Sequence, residues 1–188
     1  MKRTVLIFIL LVWSLLLSTN ARAQEFVAGD EITIVISAYA LIETNYAPVS
    51  LSFTPSTAGA AITSVSNSDL FVKISSTVPG GTDREVTARI SSGTVPTGTT
   101  LTLVSAACTT TNSGGVLGTP VATPITLSAI DQDLVQFIQT CYTGTGYNDG
   151  YQMTFTWIPD YAAANYGQID SYSYNITVVF TLTAHDGN

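Results

Sequence analysis

Few side chains in this sequence are suited to catalysis, and their spacing matches no common catalytic pattern. The only histidine, His185, lies close to the C-terminal end of the sequence. A catalytic imidazole must be held by packed neighbours, whereas chain ends tend to fray, so we expect a solvated His185. No nucleophile-elbow, metalloprotease or phosphate-loop motif is present. The sequence therefore predicts a protein that is not an enzyme and uses no cofactor.

The thirteen acidic residues are the other possible source of chemistry. A glycosidase needs two carboxylates facing one cleft, but these residues are scattered and lie mostly in predicted turns. Asp131 and Asp133 form a D-x-D pair, which can bind Ca²⁺ when a loop adds carbonyl oxygens, although the EF-hand spacing is absent. Calcium binding by Asp131 and Asp133 stays open, and an unrecognised carboxylate-based enzyme stays an alternative.

Aromatic residues are concentrated towards the C-terminal end. Seven of the nine tyrosines lie between residues 142 and 174, together with Trp157. Alternation places several of these rings in the predicted core, and four remain in predicted loops: Tyr142, Tyr147, Tyr161 and Tyr166. A tyrosine ring has an apolar face and a polar hydroxyl, which suits it to stacking on sugars. These four are candidate ligand-stacking residues, with packing inside the loops as the alternative.

Two cysteines, Cys108 and Cys141, are present. If the chain is exported it meets oxidising conditions, which favour a disulfide between them. Two free thiols are the alternative. Two cysteines and one histidine cannot supply the four ligands of an ordinary structural zinc site, so we assign no metal ligand here, and calcium at Asp131 and Asp133 stays open.

The first 23 residues have the features of a cleaved export signal. Lys2 and Arg3 precede an apolar run from Val5 to Leu17, and Ala21 and Ala23 form a small-x-small cleavage pattern. The apolar run is shorter than the ~20 residues that a membrane-spanning helix needs. We therefore expect a signal peptide over residues 1–23 and a single domain over 24–188, exported to the periplasm, the cell surface or the medium.

Removal of this signal would make the chain strongly acidic. The whole sequence has a net charge of −7, with six basic and thirteen acidic residues. Three basic residues lie in the signal and all acidic residues lie after it, so the remainder carries 3 − 13 = −10. Such a field repels phosphate backbones and anionic lipid headgroups. We expect protein subunits, cell-surface components or a glycan as partners, and neither nucleic acid nor membrane insertion.

Alternating apolar residues indicate strands along most of the chain after the signal. The alternation is found at residues 32–37, 49–53, 70–74, 86–90, 101–103, 125–127, 151–157 and 172–182. Two segments are helix candidates, Ala129–Gln139 and Tyr161–Asn165, and the β-branched content of the first equally allows a strand. About eight or nine short strands predict an all-β fold, an antiparallel β-sandwich with immunoglobulin-like or Greek-key connections.

Six short stretches spread over the chain carry a family resemblance: Leu51–Phe53, Leu70–Ser76, Arg84–Ile90, Val95–Leu101, Cys141–Gly144 and Tyr151–Phe155. Together they resemble a group of small exported proteins of Bacteroidota whose roles are mostly unassigned. The broad layout is also similar to fimbrial and WxL-type surface domains. The resemblance implies an exported β-sandwich, and it carries over no functional residue.

The resulting functional expectation is a non-enzymatic, secreted or surface-associated β-sandwich that acts as an extracellular structural or adhesive, fimbrial-like subunit. It would contact a protein partner through a strand edge or a sheet face. The first alternative is a carbohydrate-binding module that uses the loop tyrosines, and the second is the carboxylate-based enzyme. The sequence leaves open the identity of the partner, the oligomeric state and whether fibres form.

Overall fold

The structure, a computed structural model, describes residues 33–54 and 57–185. The predicted signal peptide lies outside the described residues. The chain divides into two units, Met1–Val35 and Ile36–Asn188. Residues 33–35 are the described part of the first unit, where they belong to no helix or strand and have exposed side chains. All elements named below belong to the second unit.

The described residues form eleven strands and one helix of a single turn. They are β1 (Tyr39–Thr44), β2 (Val65–Thr77), β3 (Arg84–Ser92), β4 (Thr99–Ser105), β5 (Gly114–Gly115), β6 (Thr119–Pro120), β7 (Ile125–Thr126), β8 (Gln132–Ile138), β9 (Cys141–Tyr142), β10 (Tyr151–Pro159), α1 (Ala163–Tyr166) and β11 (Thr177–Ala184). Every strand pairing is antiparallel. The predicted all-β fold is confirmed, and the segment with an ambiguous helical spacing, 129–139, contains strand β8.

Two antiparallel sheets form two layers, as a β-sandwich requires. Sheet A contains seven strands in the order β5-β9-β2-β10-β4-β7, with β1 also paired to β2. Sheet B contains four strands in the order β11-β3-β8-β6. The core lies between the layers, where residues of β2, β3, β4, β8 and β10 are buried. The burial of the predicted inward residues of β2, β3, β4 and β10 confirms the period-two interpretation of these four strands.

The long strand β2 organises sheet A because different strands share its two edges. Val72 pairs with Thr44 of β1 and with Tyr151 of β10, so β1 and β10 lie on opposite edges. Ser75 likewise pairs with Leu41 of β1 and with Tyr142 of β9. Strands β9 and β10 therefore follow one another along one edge, and β1 occupies part of the other.

Strand β1 ends at Thr44 because the next side chain takes over the edge of β2. The Asn45 side-chain oxygen accepts a hydrogen bond from the Phe71 amide (3.1 Å), and its side-chain nitrogen donates to the Asp69 carbonyl (2.9 Å). Tyr46 follows with a φ of 54°, which is the left-handed region and turns the chain away from the sheet. In the described residues, no strand pairs with this edge of β2 over Val65–Ser68.

Two predicted strands are wrong and one is too long. Residues 33–38 and 45–54 belong to no strand, and the strand predicted over 172–182 begins only at Thr177. Alternation shows that a segment could lie on a half-buried sheet, but a strand also needs a neighbour whose backbone groups are free. For residues 45–54 the pairing ends where the Asn45 side chain bonds to Asp69 and Phe71, and the left-handed φ of Tyr46 directs the following residues away from β2.

Candidate binding groove

A groove with a volume of about 1000 Å³ lies between the two sheets beside the end of β1. Sheet A contributes Leu70, Leu101 and Trp157 to its walls, and β11 of sheet B contributes Val178 and Phe180. Two segments outside the strands, residues 46–53 and 169–176, supply most of its remaining lining. We call this space the intersheet groove.

Among residues 33–54 and 57–185, no strand fills the space beyond the end of β1, and the intersheet groove lies there. The apolar residues of β11 that face the core, such as Val178 and Phe180, are only half-buried. On the neighbouring strand β3, by contrast, Val86 and Ala88 are fully buried. The sandwich is thus closed over most of its core and incompletely covered along β11.

Several aromatic side chains line the groove. The Phe53 ring stacks on Trp157, with centroids 3.9 Å apart and planes 21° apart. The Trp157 indole nitrogen is buried and has no hydrogen-bond partner among the described residues. Tyr172 and Tyr174 form an edge-to-face pair at 5.4 Å, and Tyr172 is largely exposed. These rings offer a large apolar contact area.

Charge is nearly absent from the same walls. Asp170 is the single charged residue among the described residues that line the groove. A two-carboxylate glycosidase needs a second carboxylate facing the first, and the described lining does not supply one. The part of the chain that the structure describes also holds no group of three or more His, Cys, Asp or Glu residues suited to a metal ion. The groove is therefore suited to an uncharged occupant that offers both apolar surface and hydrogen-bonding groups.

Sequence reasoning missed the groove because its aromatic residues were assigned to the core. Trp157 belongs to an alternating strand, as predicted, but it stands where the core opens and is only half-buried. Phe53 was placed in a strand that does not form, and Tyr172 in the part of a predicted strand that precedes its observed start at Thr177. Tyr172, Tyr174 and Ile176 do alternate in the sequence. Alternation alone, however, cannot show that a segment lacks a partner strand.

Two of the four tyrosines proposed as ligand-stacking residues contact each other and the backbone of Ile62. Tyr161 and Tyr166 are stacked with centroids 6.2 Å apart. The Tyr161 hydroxyl donates to the Ile62 carbonyl (2.9 Å), and the Ile62 amide donates to the Tyr166 hydroxyl (2.8 Å). Both hydroxyl groups thus hold the segment that precedes β2, which is the loop-packing role named as the alternative.

The other two tyrosines lie near the β9–β10 connection. Tyr142 is on β9, and its ring covers Gly114 so closely that a Cβ there would lie 2.8 Å from the hydroxyl oxygen. Tyr147 lies in the loop after β9 and is 63% exposed. Neither residue lines the intersheet groove. The ligand-stacking role of these tyrosines stays a prediction.

The Asp149 carboxylate anchors the loop that joins β9 to β10. It accepts hydrogen bonds from the Thr110 hydroxyl (2.8 Å), the Gly146 amide (2.7 Å) and the Asn112 side chain (3.3 Å). These hydrogen bonds, that from Thr110 above all, lower the pKa of Asp149 below its usual 3.8. Asp149 therefore has a structural role, tying this loop to the one that contains Thr110.

Asp131 and Asp133 already have protein partners. The Asp131 carboxylate lies 3.6 Å from the Arg89 guanidinium, and the Asp133 carboxylate accepts a hydrogen bond from Gln136 at 2.7 Å. Calcium would need further oxygen ligands around the pair. The contacts of Asp131 and Asp133 therefore do not support calcium binding, which stays an open question.

The expectation of a solvated His185 is wrong. Its side chain is only 13% exposed, and its Nδ1 lies 3.1 Å from the Asp83 carboxylate. The Phe137 ring packs edge-on against the imidazole at 4.8 Å. The reason is strand register: β11 pairs with β3 up to Ala184 opposite Arg84, which brings the next residue beside Asp83. Long-range pairing thus orders a residue that looked terminal in the sequence.

The predicted disulfide is also corrected, because Cys108 and Cys141 are free cysteines in the structure. Burial, and secondly the charge of Cys108, raise the pKa of Cys141 to about 11. Oxidation proceeds through the thiolate, which burial disfavours at Cys141. Tyr151 beside them is fully buried, and its hydroxyl donates a hydrogen bond to the Leu117 carbonyl.

The fold defines an antiparallel β-sandwich with one incompletely covered side. Comparison with protein-family models, curated proteins and solved structures finds no match to this chain. The resemblance to exported Bacteroidota proteins therefore stays a prediction. Within residues 33–54 and 57–185, no helix has the length and apolar character needed to cross a membrane.

Proposed function

We propose that this chain is an exported or surface-associated, non-enzymatic β-sandwich that serves as an extracellular structural or adhesive subunit. It contacts a protein partner through the incompletely covered side of the sandwich. The single observation that carries the proposal is the intersheet groove, an open space between the two sheets whose described lining holds several aromatic rings and one charged residue, Asp170.

Two physical features make this side suited to a protein segment. An unpaired strand edge presents free amide and carbonyl groups that another strand can bond. The intersheet groove, which Leu70 of β2 also lines, presents the apolar side chains of Trp157, Val178 and Phe180 to a partner. A protein segment carries both backbone hydrogen-bonding groups and apolar side chains, so it matches both features.

The test measures association of the chain expressed with its own leader. Sedimentation velocity over a wide concentration range reports self-association, and binding to a cell-surface fraction of the producing organism reports adhesion. Val178→Asp places a charge in the groove and should weaken whichever association is observed at least ~tenfold, since a buried unpaired charge is strongly unfavourable. Thr181→Asp, on the exposed outer face of the same strand, is the matched control and should have no effect.

Circular dichroism and a thermal melt check that Val178→Asp still folds. Val49→Asp offers a second test at the groove rim, where the side chain is 37% exposed and the risk to folding is smaller. A chain that stays monomeric at all concentrations and binds no surface fraction would contradict the proposed function.

A further inference from the structure

The charge of the intersheet groove disfavours an anionic partner segment. Asp170 is the one charged residue of its described lining, which contains no lysine, arginine or histidine. A phosphorylated segment, an acidic segment or a free C-terminal carboxylate needs basic side chains or converging backbone N–H groups to hold it. The chain after the predicted signal is also strongly acidic and repels such segments. The groove is therefore suited to a segment that carries no negative charge.

Hydroxyl groups interrupt the apolar walls of the groove. Residues 46–53 and 169–176 contribute four serines to the described lining, and Tyr172 and Tyr174 add two more hydroxyl groups. Serines and apolar residues alternate along residues 49–53. An amphipathic helix buries a continuous apolar face in a groove, and its backbone groups are already paired within the helix. Such a helix would cover these hydroxyl groups without bonding to them, which is unfavourable.

The two segments that supply most of the lining offer no sheet edge. Residues 46–53 and 169–176 belong to no strand, and the unpaired edge of β2, Val65–Ser68, is not among the described lining. Along these walls, each backbone N–H that an occupant buries needs a separate acceptor. Proline has no N–H, and its carbonyl group accepts hydrogen bonds from hydroxyl groups. A proline-rich segment therefore matches these walls better than an added strand does.

The aromatic rings of the groove form two pairs. Phe53 stacks on Trp157 at 3.9 Å, and Tyr172 meets Tyr174 edge to face at 5.4 Å. Aromatic-lined grooves recognise proline-rich segments in the polyproline II conformation. This helix has three residues per turn and rises about 3.1 Å per residue, so prolines three positions apart lie on the same side of it, about 9 Å from each other. The conformation is preformed, which lowers the entropy lost on binding.

Resting on the proposed function, we infer that the intersheet groove binds an uncharged, proline-rich segment of the partner protein in the polyproline II conformation. One proline of the segment packs against the Phe53–Trp157 pair, and a second proline, three positions away, packs against Tyr172 and Tyr174. Carbonyl groups of the segment accept hydrogen bonds from the hydroxyl groups of the walls. Asp170 is exposed and stays in water, so the contact desolvates no charge.

A peptide experiment tests the groove directly. The probe is a polyproline peptide with blocked ends, added to the chain carrying Trp13→Phe so that Trp157 is the sole tryptophan. We expect a saturable change in Trp157 fluorescence, with the same affinity by calorimetry. A blocked alanine–serine peptide of equal length should bind at least ~tenfold more weakly, because it loses more conformational freedom and buries N–H groups. Equal binding of the two peptides, or no saturable binding of either, would overturn the inference.

Two exposed tyrosines provide a matched pair of variants. Tyr172 lines the groove and is 79% exposed, so Tyr172→Ala removes ring contact with little risk to the fold. This variant should bind the polyproline peptide at least ~tenfold more weakly, since aromatic anchors supply much of the energy of such contacts. Tyr147 is 63% exposed and does not line the groove, so Tyr147→Ala should bind as the parent does. Equal affinities of the two variants would place the peptide elsewhere and contradict the inference.

Competition separates this inference from the proposed function. Whichever association of the chain is weakened by Val178→Asp should be displaced by an excess of the polyproline peptide and not by the alanine–serine peptide. Association that is weakened by Val178→Asp but survives the polyproline peptide would overturn the inference and leave the proposed function standing. A chain that neither self-associates nor binds a surface fraction contradicts the proposed function, and peptide binding that depends on Tyr172 would then still support the groove as a site for proline-rich segments.

Discussion

Individual side chains in this protein mostly serve to hold loops and strand ends, and Asp149 is the clearest case. It is a turn residue by sequence, next to Gly150, yet its carboxylate joins three donors from two loops. Those donors favour the charged carboxylate, so the pKa of Asp149 is lower in the folded than in the unfolded chain. The folded state is therefore stabilised only while Asp149 is ionised.

This gives a pH dependence of stability with a definite sign. Above the unfolded pKa of about 3.8 the contribution of Asp149 is fully present, and it is lost as the pH falls through the lower folded pKa. We expect Asp149→Asn to be less stable than the parent at neutral pH, and the difference to shrink below about pH 4. Urea unfolding of both proteins across this range measures it. A difference that stays constant with pH would contradict the role assigned to the carboxylate.

The two thiols should differ in reactivity. Cys141 is 4% exposed and has a pKa raised to about 11, whereas Cys108 is half-exposed. We expect iodoacetamide at pH 8 to alkylate Cys108 in the native protein well before Cys141, because only the accessible thiolate reacts. Mass spectrometry of Cys108→Ser and Cys141→Ser variants reads each thiol separately.

Unfolding supplies the control for this labelling. In denaturant, where burial is lost, the two thiols should react at similar rates. Native protein in which neither thiol can be alkylated until a reductant is added would show that the disulfide forms after all, and would contradict the assignment of free cysteines.

At the scale of elements, the β9–β10 connection depends on close backbone contact. Gly150 has a φ of +105°, and a Cβ at this position would lie 2.3 Å from the Val72 carbonyl oxygen of β2. This approach lets β9 and β10 share one edge of β2 with a loop between them. No other residue type can adopt this conformation at that distance without displacing β2.

We therefore expect Gly150→Ala to destabilise the fold by more than about 1 kcal/mol. Gly80→Ala is the matched control, because Gly80 lies in the β2–β3 turn with nothing within 4 Å of the added Cβ and no positive φ. That variant should be as stable as the parent or up to about 1 kcal/mol more stable. Denaturant midpoints compare the stability of the three proteins. Equal losses of stability in both variants would contradict the importance of the close approach of Gly150 to Val72.

The terminal strand illustrates how pairing orders a chain end. Strand β11 pairs with β3 along its whole length, with one irregularity between Thr177 and Val178. Its other edge and its half-buried inner face border the intersheet groove. Strand β11 thus completes sheet B, and its half-buried inner face forms part of the groove through which the proposed contact is made.

For the whole molecule, the net negative charge opposes association between copies, whereas a nearly uncharged contact surface favours it. The chain after the predicted signal carries a charge of −10, which makes copies repel one another. The proposed contact is nearly uncharged, so salt screens the repulsion without weakening the contact. We expect self-association to strengthen as the ionic strength rises.

Sedimentation velocity at low and at physiological salt measures this effect. Val178→Asp is the control, since a charge in the groove should weaken association at both ionic strengths. Association that weakens with added salt would indicate pairing between opposite charges, and so a different interface from the one proposed.

The sequence alone predicted the class of fold and the faces of the main strands. Leu70, Val72 and Ile74 on β2, and Met153 and Phe155 on β10, are buried as their alternation indicated. This information is local, because a period of two places alternate side chains on opposite faces wherever the strand pairs. Export, the structural or adhesive role and the resemblance stay predictions.

Only the tertiary structure decided which alternating segments have partners, because pairing is a property of distant residues. Asn45 ends β1 by bonding to Phe71 and Asp69, which leaves residues 45–54 outside the sheet. Strand register, likewise, buries His185 against Asp83. The intersheet groove arises in the same way, because residues 46–53 and 169–176, which line it and alternate in part, pair with no described strand.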